Sequence, residues 1–307
     1  MCFGHAERCT FVQNTASSGG GIFDSSANNS VFIRNTAANG GGVAGGFNYY
    51  VVLDNCTFVG NTATSSGGGI YGVSYSGSKG MVGNNCISWY NTPNDLQDIT
   101  VSHFCSPDVT HGLNGCTTNA PLFVDWENDN LHLLANSPAI DTGSNALMIG
   151  TTDLDGIPRP LDGDADGTAT VDMGCYEFIS TLADTDSDGL NDAAEINSYG
   201  TDPTLGNSDG DSSIDGDEII AGTDPLNPAD FFQILDAGSS ASAFTVYFDS
   251  LSDRQYQLFG ATGLVDSVVW FPVPGAGPRW GIGGADALSD TNQAPAVRFY
   301  RLEVSKP

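Results

Sequence analysis

The stretch from Asp184 to Glu195 has the spacing of a calcium-binding loop. Carboxylates at its first, third and fifth positions can curl around a hard cation, and Gly189 allows the sharp turn that follows. The acid at the twelfth position, Glu195, can close the ligand shell with two oxygens. We predict a Ca²⁺ site whose ligands are Asp184, Asp186, Asp188, the carbonyl of Leu190, Asp192 through water, and Glu195.

A second acidic loop begins at Asn207 and keeps most of these positions. Ser212 stands where the first loop has Gly189. A non-glycine residue with positive φ there would cost about 1 kcal/mol, so we expect this site to be weaker or slightly rearranged. Its predicted Ca²⁺ ligands are Asn207, Asp209, Asp211, Asp215 and Glu218.

The segments around the two loops are too short for the long helices of a calcium sensor, because only a few residues separate Glu195 from Gly200. Each loop is followed by the tetrapeptide Gly-Thr-Asp-Pro, at 200–203 and at 222–225. Residues 184–228 therefore resemble bacterial thrombospondin type 3 repeats. The resemblance implies a calcium-binding spacer with almost no apolar core, in which metal binding supplies the folding energy.

Acidic residues dominate the charge of the chain. Nine Lys and Arg stand against 37 Asp and Glu, which gives a formal net charge of −28. Twenty of the 37 acids lie between Gly150 and Asp230, with Arg159 as the single basic residue there. A surface of this charge repels phosphate backbones, which excludes nucleic acid as a partner. No apolar run of about 18 residues occurs, so we predict no transmembrane helix.

The first part of the chain is a repeat. Related octets begin at Cys9, Ser30, Cys56 and Cys86, with starts 21, 26 and 30 residues apart, and a glycine triplet follows each of the first three. Such periods, with one short strand pattern in each, are typical of solenoids. Alternation within each octet turns one set of side chains inward. Stacking should then form two ladders, one of Phe11, Phe32 and Phe58 and one of Asn14, Asn35, Asn61 and Asn91.

These repeats predict an all-β fold that opens with a right-handed parallel β-helix over residues 1–92. They also resemble polymorphic outer-membrane-protein repeats, whose signatures are Phe-x-x-Asn and Gly-Gly-Ala/Gly-Ile. Residues 1–15 lack the basic and apolar regions of a signal peptide, so we expect a truncated N-terminus.

The order of short motifs in residues 93–180 resembles a choice-of-anchor Q segment, which implies surface display. Its Pro and Gly density should end the regular coils, and Leu131, Leu133 and Leu134 are predicted to cover the open end of the core. Alternating acids at 162–167 lack a closing Glu, which favours a solvated turn over a cation site.

The seven cysteines form no CxxC pair. The stacked positions of Cys9, Cys56 and Cys86 favour buried thiols. Cys105 and Cys116 enclose a short loop and are predicted as a disulfide, with two free thiols as the alternative.

The last segment, 230–307, contains short alternating runs that predict a small C-terminal β-sandwich after the calcium-loop linker at 181–229. Trp270 and Trp280 could stack on sugars, although a place in the core is the favoured interpretation.

Catalysis has little support in the sequence. Residues 1–150 offer only Arg8, Arg34 and Lys79 as bases for a polysaccharide lyase. Four acids there, Asp24, Asp54, Asp95 and Asp98, could serve a hydrolase but form no recognisable motif. The match of residues 76–79 to Ser-x-x-Lys lacks partner motifs and is attributed to chance.

We therefore predict no catalytic residues and a secreted or cell-surface, calcium-binding protein of adhesion or display. Its expected partners are surface glycans or other cell-surface proteins. The alternative is a fragment of a β-helical polysaccharide lyase or glycoside hydrolase whose catalytic coils are missing.

Overall fold

Short β-strands make up most of the ordered structure, and helical segments are few. The computed structural model describes residues 4–46, 50–75, 78–240, 242–264, 268–292 and 299–307. Two units divide the chain: the first comprises residues 1–186, 191–198 and 202–204, and the second comprises 187–190, 199–201 and 205–307. Ser76 and Gly77 of the Ser-x-x-Lys match lie outside the described residues.

The first unit contains eighteen of the described strands. These are β1 (His5–Glu7), β2 (Thr10–Val12), β3 (Ile22–Phe23), β4 (Ser26–Asn28), β5 (Val31–Ile33), β6 (Thr36–Asn39), β7 (Val43–Ala44), β8 (Val51–Asp54), β9 (Thr57–Val59), β10 (Thr62–Ser66), β11 (Ile70–Tyr71), β12 (Ser74–Tyr75), β13 (Ser78–Lys79), β14 (Met81–Trp89), β15 (Leu96–Gln97), β16 (Thr100–Cys105), β17 (Phe123–Asp125) and β18 (Asn130–Leu133). Short helical turns lie at Leu113–Gly115, Trp126–Asn128 and Asn145–Leu147.

Successive repeats pair in parallel, one on the next. One curled sheet of eight strands contains two ladders, β1-β4-β8-β14 and β2-β5-β9-β14, and β16 also pairs with β14. A four-stranded parallel sheet runs β15-β11-β7-β3, and β10 pairs with β6. Between the two large ladders the chain turns through residues with φ near +50°, namely Arg8, Asn29, Asn55, Asn85 and His103. Asn tolerates this left-handed conformation better than most residues.

Both predicted ladders are present. The ring of Phe32 stacks on Phe11 at 4.8 Å and on Phe58 at 4.7 Å between centroids. The Asn61 amide donates to Asn91 Oδ1 at 2.9 Å and accepts from the amide of Asn35 at 3.0 Å. Each repeated amide thus satisfies its neighbour, and Asn35, Asn61 and Asn91 do so while buried.

The glycine triplets allow close backbone contact between repeats as well as sharp turns. The middle glycine of each triplet lies against the backbone of the next repeat, so a Cβ on Gly41 would be 2.5 Å from the Gly68 oxygen and 2.6 Å from the Thr62 oxygen. No side chain fits there unless the repeats separate.

We expect Gly41→Ala to lower the free energy of unfolding by about 2–3 kcal/mol, because the added methyl group overpacks a rigid backbone contact. Chemical denaturation measures this effect. The control is Gly4→Ala, whose new Cβ would meet only the Ser25 side chain, at 3.5 Å or more. Equal stability of the two variants would contradict the packing argument.

The outward face of the large sheet is buried along β5, β9 and the second half of β14, which corrects one expectation. Leu131 and Leu133 join a second core cluster with the outward side chains of Val31, Val59 and Ile87. Leu134, by contrast, is 43% exposed. The segment around β18 therefore covers the side of the sheet and not the open end of the inner core. The inner core itself holds Phe32, Phe58, Leu53, Val43 and Ile70, among others.

The covering segment is anchored on the column of left-handed asparagines. Asn85 Oδ1 accepts from the Ser144 N–H at 2.8 Å, and Asn29 Oδ1 accepts from the Arg159 guanidinium at 2.7 Å. Arg159 also pairs with Glu177 at 2.7 Å, and both side chains are buried. A buried pair of this kind specifies one position for the segment, since either partner alone would be an uncompensated charge.

The structure holds all its described cysteines as free thiols. Cys56 and Cys86 are buried and stacked as expected, with the Cys56 N–H 3.3 Å from Cys86 Sγ, whereas Cys9 is only half-buried. The predicted Cys105–Cys116 disulfide is not formed, because Cys105 packs in the outer cluster and Cys116 in the inner one. Burial raises the pKa of the Cys105 thiol to about 12.

The C-terminal part of the second unit contains two antiparallel sheets. One pairs β19 (Asp236–Ser239), β20 (Phe244–Ser250) and β24 (Gly284–Asp290). The other pairs β21 (Gln255–Ala261) with β22 (Phe271–Pro272), β23 (Arg279–Trp280) and β25 (Phe299–Ser305). Both sheets contribute to one core of Val246, Phe248, Leu288, Tyr256 and Leu258.

The two tail tryptophans do not lie in this core. Trp280 is 51% exposed, which corrects the favoured interpretation, and Trp270 lies under the Arg301 guanidinium at 5.0 Å. One of the alternating runs of the last segment spans residues 297–304. Its part from Phe299 onward lies in β25, and residues 297 and 298 lie outside the described residues.

Candidate calcium-binding loops

The first loop begins in the first unit, where the carboxylates of Asp184 and Asp186 lie within 4.8 Å of each other. Asp192 opens the short helix α1 (Asp192–Ala194) and is fully buried. Its two oxygens accept from the Thr185 N–H at 2.9 Å and from the Thr185 hydroxyl at 2.8 Å. Asp192 therefore holds the second residue of the loop in place. Glu195, at the start of the helical turn Glu195–Tyr199, is also fully buried.

The middle of the first loop, 187–190, belongs to the second unit. Asp188 Oδ1 accepts from the Leu190 N–H at 2.7 Å, and its Oδ2 accepts from the Gly216 N–H at 3.0 Å. The carboxylates of Asp188 and Asp215 lie within 4.8 Å of each other. The left-handed turn uses Ser187 with φ 65° as well as the predicted Gly189 with φ 99°.

The second loop lies entirely in the second unit and brings three predicted ligands together. The carboxylates of Asp209, Asp211 and Glu218 lie within 4.8 Å of one another. One oxygen of each is held: Asp209 Oδ1 accepts from the Asp211 N–H at 3.1 Å, Asp211 Oδ1 from the Ser213 N–H at 2.6 Å, and Glu218 Oε1 from the Thr223 hydroxyl at 3.0 Å.

The other oxygen of each carboxylate is buried and accepts no hydrogen bond from the described residues. These atoms are Asp209 Oδ2, Asp211 Oδ2 and Glu218 Oε2. Burial raises the pKa of Glu218, and the negative charges of Asp211, Asp209 and Asp215 raise it further. Buried carboxylate oxygens without a donor cost free energy unless a cation neutralises them. An all-oxygen donor set of this charge fits Ca²⁺.

Two details of the second loop differ from the sequence-based expectation. Ser212 is not among the described residues with positive φ; Gly210 takes the left-handed turn instead, with φ 77°. The predicted strain at Ser212 was therefore wrong, because the loop turns two residues earlier.

Asn207 and Asp215, both predicted as Ca²⁺ ligands, make hydrogen bonds within the loop. The Asn207 Oδ1 accepts from the Gly210 N–H at 2.7 Å, so this oxygen closes the turn. Asp215 accepts from the Ser208 N–H at 2.9 Å and from its hydroxyl at 2.7 Å, as Asp192 does from Thr185. The hydroxyl residue at the second position of both loops was the sequence signal for this contact.

The acids at 162–167 form a further cluster in the first unit. Carboxylates of Asp141, Asp162 and Asp164 lie within 4.8 Å of one another. Asp162 is only 5% exposed, and its oxygens accept from the backbone N–H groups of Asp166 and Gly167. Asp162 therefore closes the turn from its buried start, while residues 164–167 are exposed, as expected for a solvated turn. Burial raises the pKa of Asp141 to about 6, helped by the charges of Asp164 and Asp162.

Three of the four acids considered for hydrolysis accept hydrogen bonds within the fold, and the fourth, Asp98, is exposed. Asp54 accepts from the Asn84 amide at 2.8 Å, and Asp24 from the Gly46 N–H at 3.0 Å. Asp95 is 4% exposed and ends the asparagine ladder by accepting from the Asn91 amide at 2.5 Å. Burial raises the pKa of Asp95 to about 7, although the hydrogen bonds from Asn91 oppose this.

We expect Asp95→Asn to stabilise the protein increasingly as the pH rises. The folded-state pKa of Asp95 lies above its unfolded value, so its contribution to stability is present below about pH 4 and is lost as the pH rises through about 7. Relative to the wild type, the variant should gain a few kcal/mol between about pH 5 and about pH 8. Denaturant unfolding at the two pH values measures the gain, and a difference that does not change with pH would contradict the assignment.

Two family models match parts of the chain. The bacterial TSP3 repeat matches residues 184–206 and 215–228, and the Chlamydia polymorphic membrane protein repeat matches residues 55–73. No curated protein and no solved structure gives a significant match. In the part of the chain that the structure describes, no helix has the length and apolar character needed to cross a membrane.

These matches confirm the two repeat resemblances. The TSP3 match, together with the acidic clusters, points to a calcium-binding extracellular protein. Both repeat families fit a secreted or surface protein. The choice-of-anchor Q resemblance stays a prediction.

Proposed function

We propose that the chain is a secreted or cell-surface display protein whose spacer binds one Ca²⁺ in each of two loops. The observation that carries this proposal is the trio of buried oxygens on Asp209, Asp211 and Glu218. In the first loop the proposed ligands are those predicted from the sequence, with Asp192 bracing Thr185. Bound Ca²⁺ would neutralise the clustered carboxylates, and the chain's own hydrogen bonds already fix one oxygen of each ligand in the second loop.

The proposed architecture places a right-handed parallel β-helix in residues 1–92. Its support is the parallel pairing of successive repeats and the two stacked ladders. Residues 93–180 would cover the side of this helix, 181–229 would form the spacer, and 230–307 would form a small β-sandwich. Repeated faces on a rigid support suit adhesion to surface glycans or to other surface proteins, while the charge of −28 disfavours polyanions.

Calorimetric titration of the whole chain with Ca²⁺ tests the metal proposal. We expect binding of two ions, and no heat at millimolar Ca²⁺ would contradict it. The non-catalytic part of the proposal is tested by incubation with acidic and neutral polysaccharides. We expect no depolymerisation, and robust turnover would favour an enzyme fragment instead.

A further inference from the structure

The helix α2 (Asp215–Ala221) connects the second calcium loop to the C-terminal sheets within the second unit. Its first turns carry Glu218, one of the three clustered carboxylates. Its last turn ends at Gly222, which has φ 85° and donates its N–H to the Glu218 carbonyl at 2.6 Å. The backbone of Glu218 therefore belongs to the end of the helix, while its side chain belongs to the carboxylate cluster.

Arg254 binds the C-terminal end of this helix. It lies in the turn between β20 and β21 and is only 5% exposed. Its Nε donates to the Ile220 carbonyl, and its second guanidinium nitrogen donates to the Ile219 carbonyl at 3.2 Å. A cation at the last carbonyls of a helix satisfies groups that have no partner within the helix and interacts favourably with the helix dipole.

The turn between β20 and β21 also contacts the end of α2 through the side chain of Leu251. A Cβ on Gly222 would be 2.2 Å from Leu251 Cδ1, so the helix end and the turn are in close contact. The Arg254 carbonyl in turn accepts from the Gly281 N–H at 3.0 Å, which ties the turn to the segment before β24. A continuous series of contacts thus runs from Glu218 through α2 and Arg254 into the sheets.

We propose that Ca²⁺ binding at the second loop is coupled to the stability of the C-terminal sheets, with Arg254 as the positioning residue that carries the coupling. The inference rests on the proposed calcium function. A ligand that orders Glu218 fixes the orientation of α2, and a fixed α2 presents its last carbonyls to Arg254. Coupling between sites is reciprocal, so loss of the Arg254 contact must also weaken Ca²⁺ binding at the second loop.

The proposed coupling is tested by hydrogen exchange of the full chain at increasing Ca²⁺ concentrations. Protection is measured at residues 207–218 and 249–256. In the wild type both segments should gain protection with the same calcium midpoint. In Arg254→Met the midpoint at 207–218 should rise about tenfold, and the protection at 249–256 should no longer depend on Ca²⁺. Arg254→Lys keeps the charge but loses the second donor, so its midpoint should lie between these values.

The matched control is Arg279→Met, which removes a guanidinium that binds Asp286 between β23 and β24, with one contact of 3.0 Å. The described hydrogen bonds of this guanidinium go to Asp286, Trp280 and Ala287, and not to α2. It should lower the stability of the sheets while its calcium midpoint stays within about twofold of the wild type. A wild-type midpoint in Arg254→Met would overturn the coupling alone. If that variant does not fold, a wild-type midpoint in Arg254→Lys would overturn it. No calcium-dependent protection of the wild type at 207–218 would contradict the calcium proposal itself.

Discussion

Glu218→Gln should weaken Ca²⁺ binding at the second loop by about tenfold or more, because it removes one charge and one strong oxygen ligand from three clustered carboxylates, each with one buried oxygen. The substitution keeps the shape of the side chain and the acceptor for the Thr223 hydroxyl. In the absence of Ca²⁺ the variant should be no less stable than the wild type, since one uncompensated buried charge is removed. Calorimetric titration measures the affinity, and thermal unfolding with chelator measures the second effect.

Asp217→Asn is the matched control for this prediction. Asp217 precedes Glu218 in the same helix and carries the same charge, but it is exposed and lies outside the described carboxylate cluster. Its affinity should change by no more than about twofold, the size of a screened surface effect. If the two variants lose affinity equally, the effect would come from net charge and not from a built site.

Asn61→Ala should lower the free energy of unfolding by about 4 kcal/mol, because each buried polar group left without a partner costs about 1–3 kcal/mol. Asn61 is fully buried, and its Oδ1 accepts both from the Asn35 backbone N–H at 2.9 Å and from the Asn35 amide. Its own amide donates to the Phe32 carbonyl at 2.9 Å. All three groups would be left in the core without these partners. Denaturant unfolding measures the loss.

Asn14→Ala provides the comparison at the end of the same ladder. Asn14 is exposed, and within the described part of the chain its backbone N–H and its amide both donate to Asn35 Oδ1. Water can replace its contacts, so the expected loss is about 1 kcal/mol or less. Equal losses in the two variants would show that the ladder contributes through something other than buried hydrogen bonds.

The ladders were predictable because stacking places identical residues beside each other whenever the repeat keeps its register. The positions of Phe32 and Asn61 in their ladders follow from the spacing of the octets alone. The covering segment was misplaced for a physical reason: an isolated solenoid should have polar outward residues, yet Val31, Ile33 and Val59 are apolar. This apolar outward row indicates that another segment covers the side of the sheet, and it is visible in the sequence alone.

In the loops, the alternating acids at Asp209 and Asp211 were predictable because cation binding depends on their spacing. The contact in which Ser208 donates to Asp215 was not predicted. Its sequence signal is a hydroxyl residue at the second position of both loops, but a hydroxyl forms this contact only when the loop is closed. Strand β24 was missed since its inward residues are Asp286, Leu288 and Asp290, of which only one is apolar. Arg279 and the Tyr300 hydroxyl make the two buried acids tolerable.

Limited proteolysis of the full chain, with Ca²⁺ and with excess chelator, tests most directly whether metal supplies the folding energy of the spacer. With chelator, the clustered carboxylates should repel one another and cleavage should concentrate in residues 184–218, while the stacked repeats stay intact. With millimolar Ca²⁺ the same segment should resist the protease. Identical cleavage patterns under the two conditions would contradict the account.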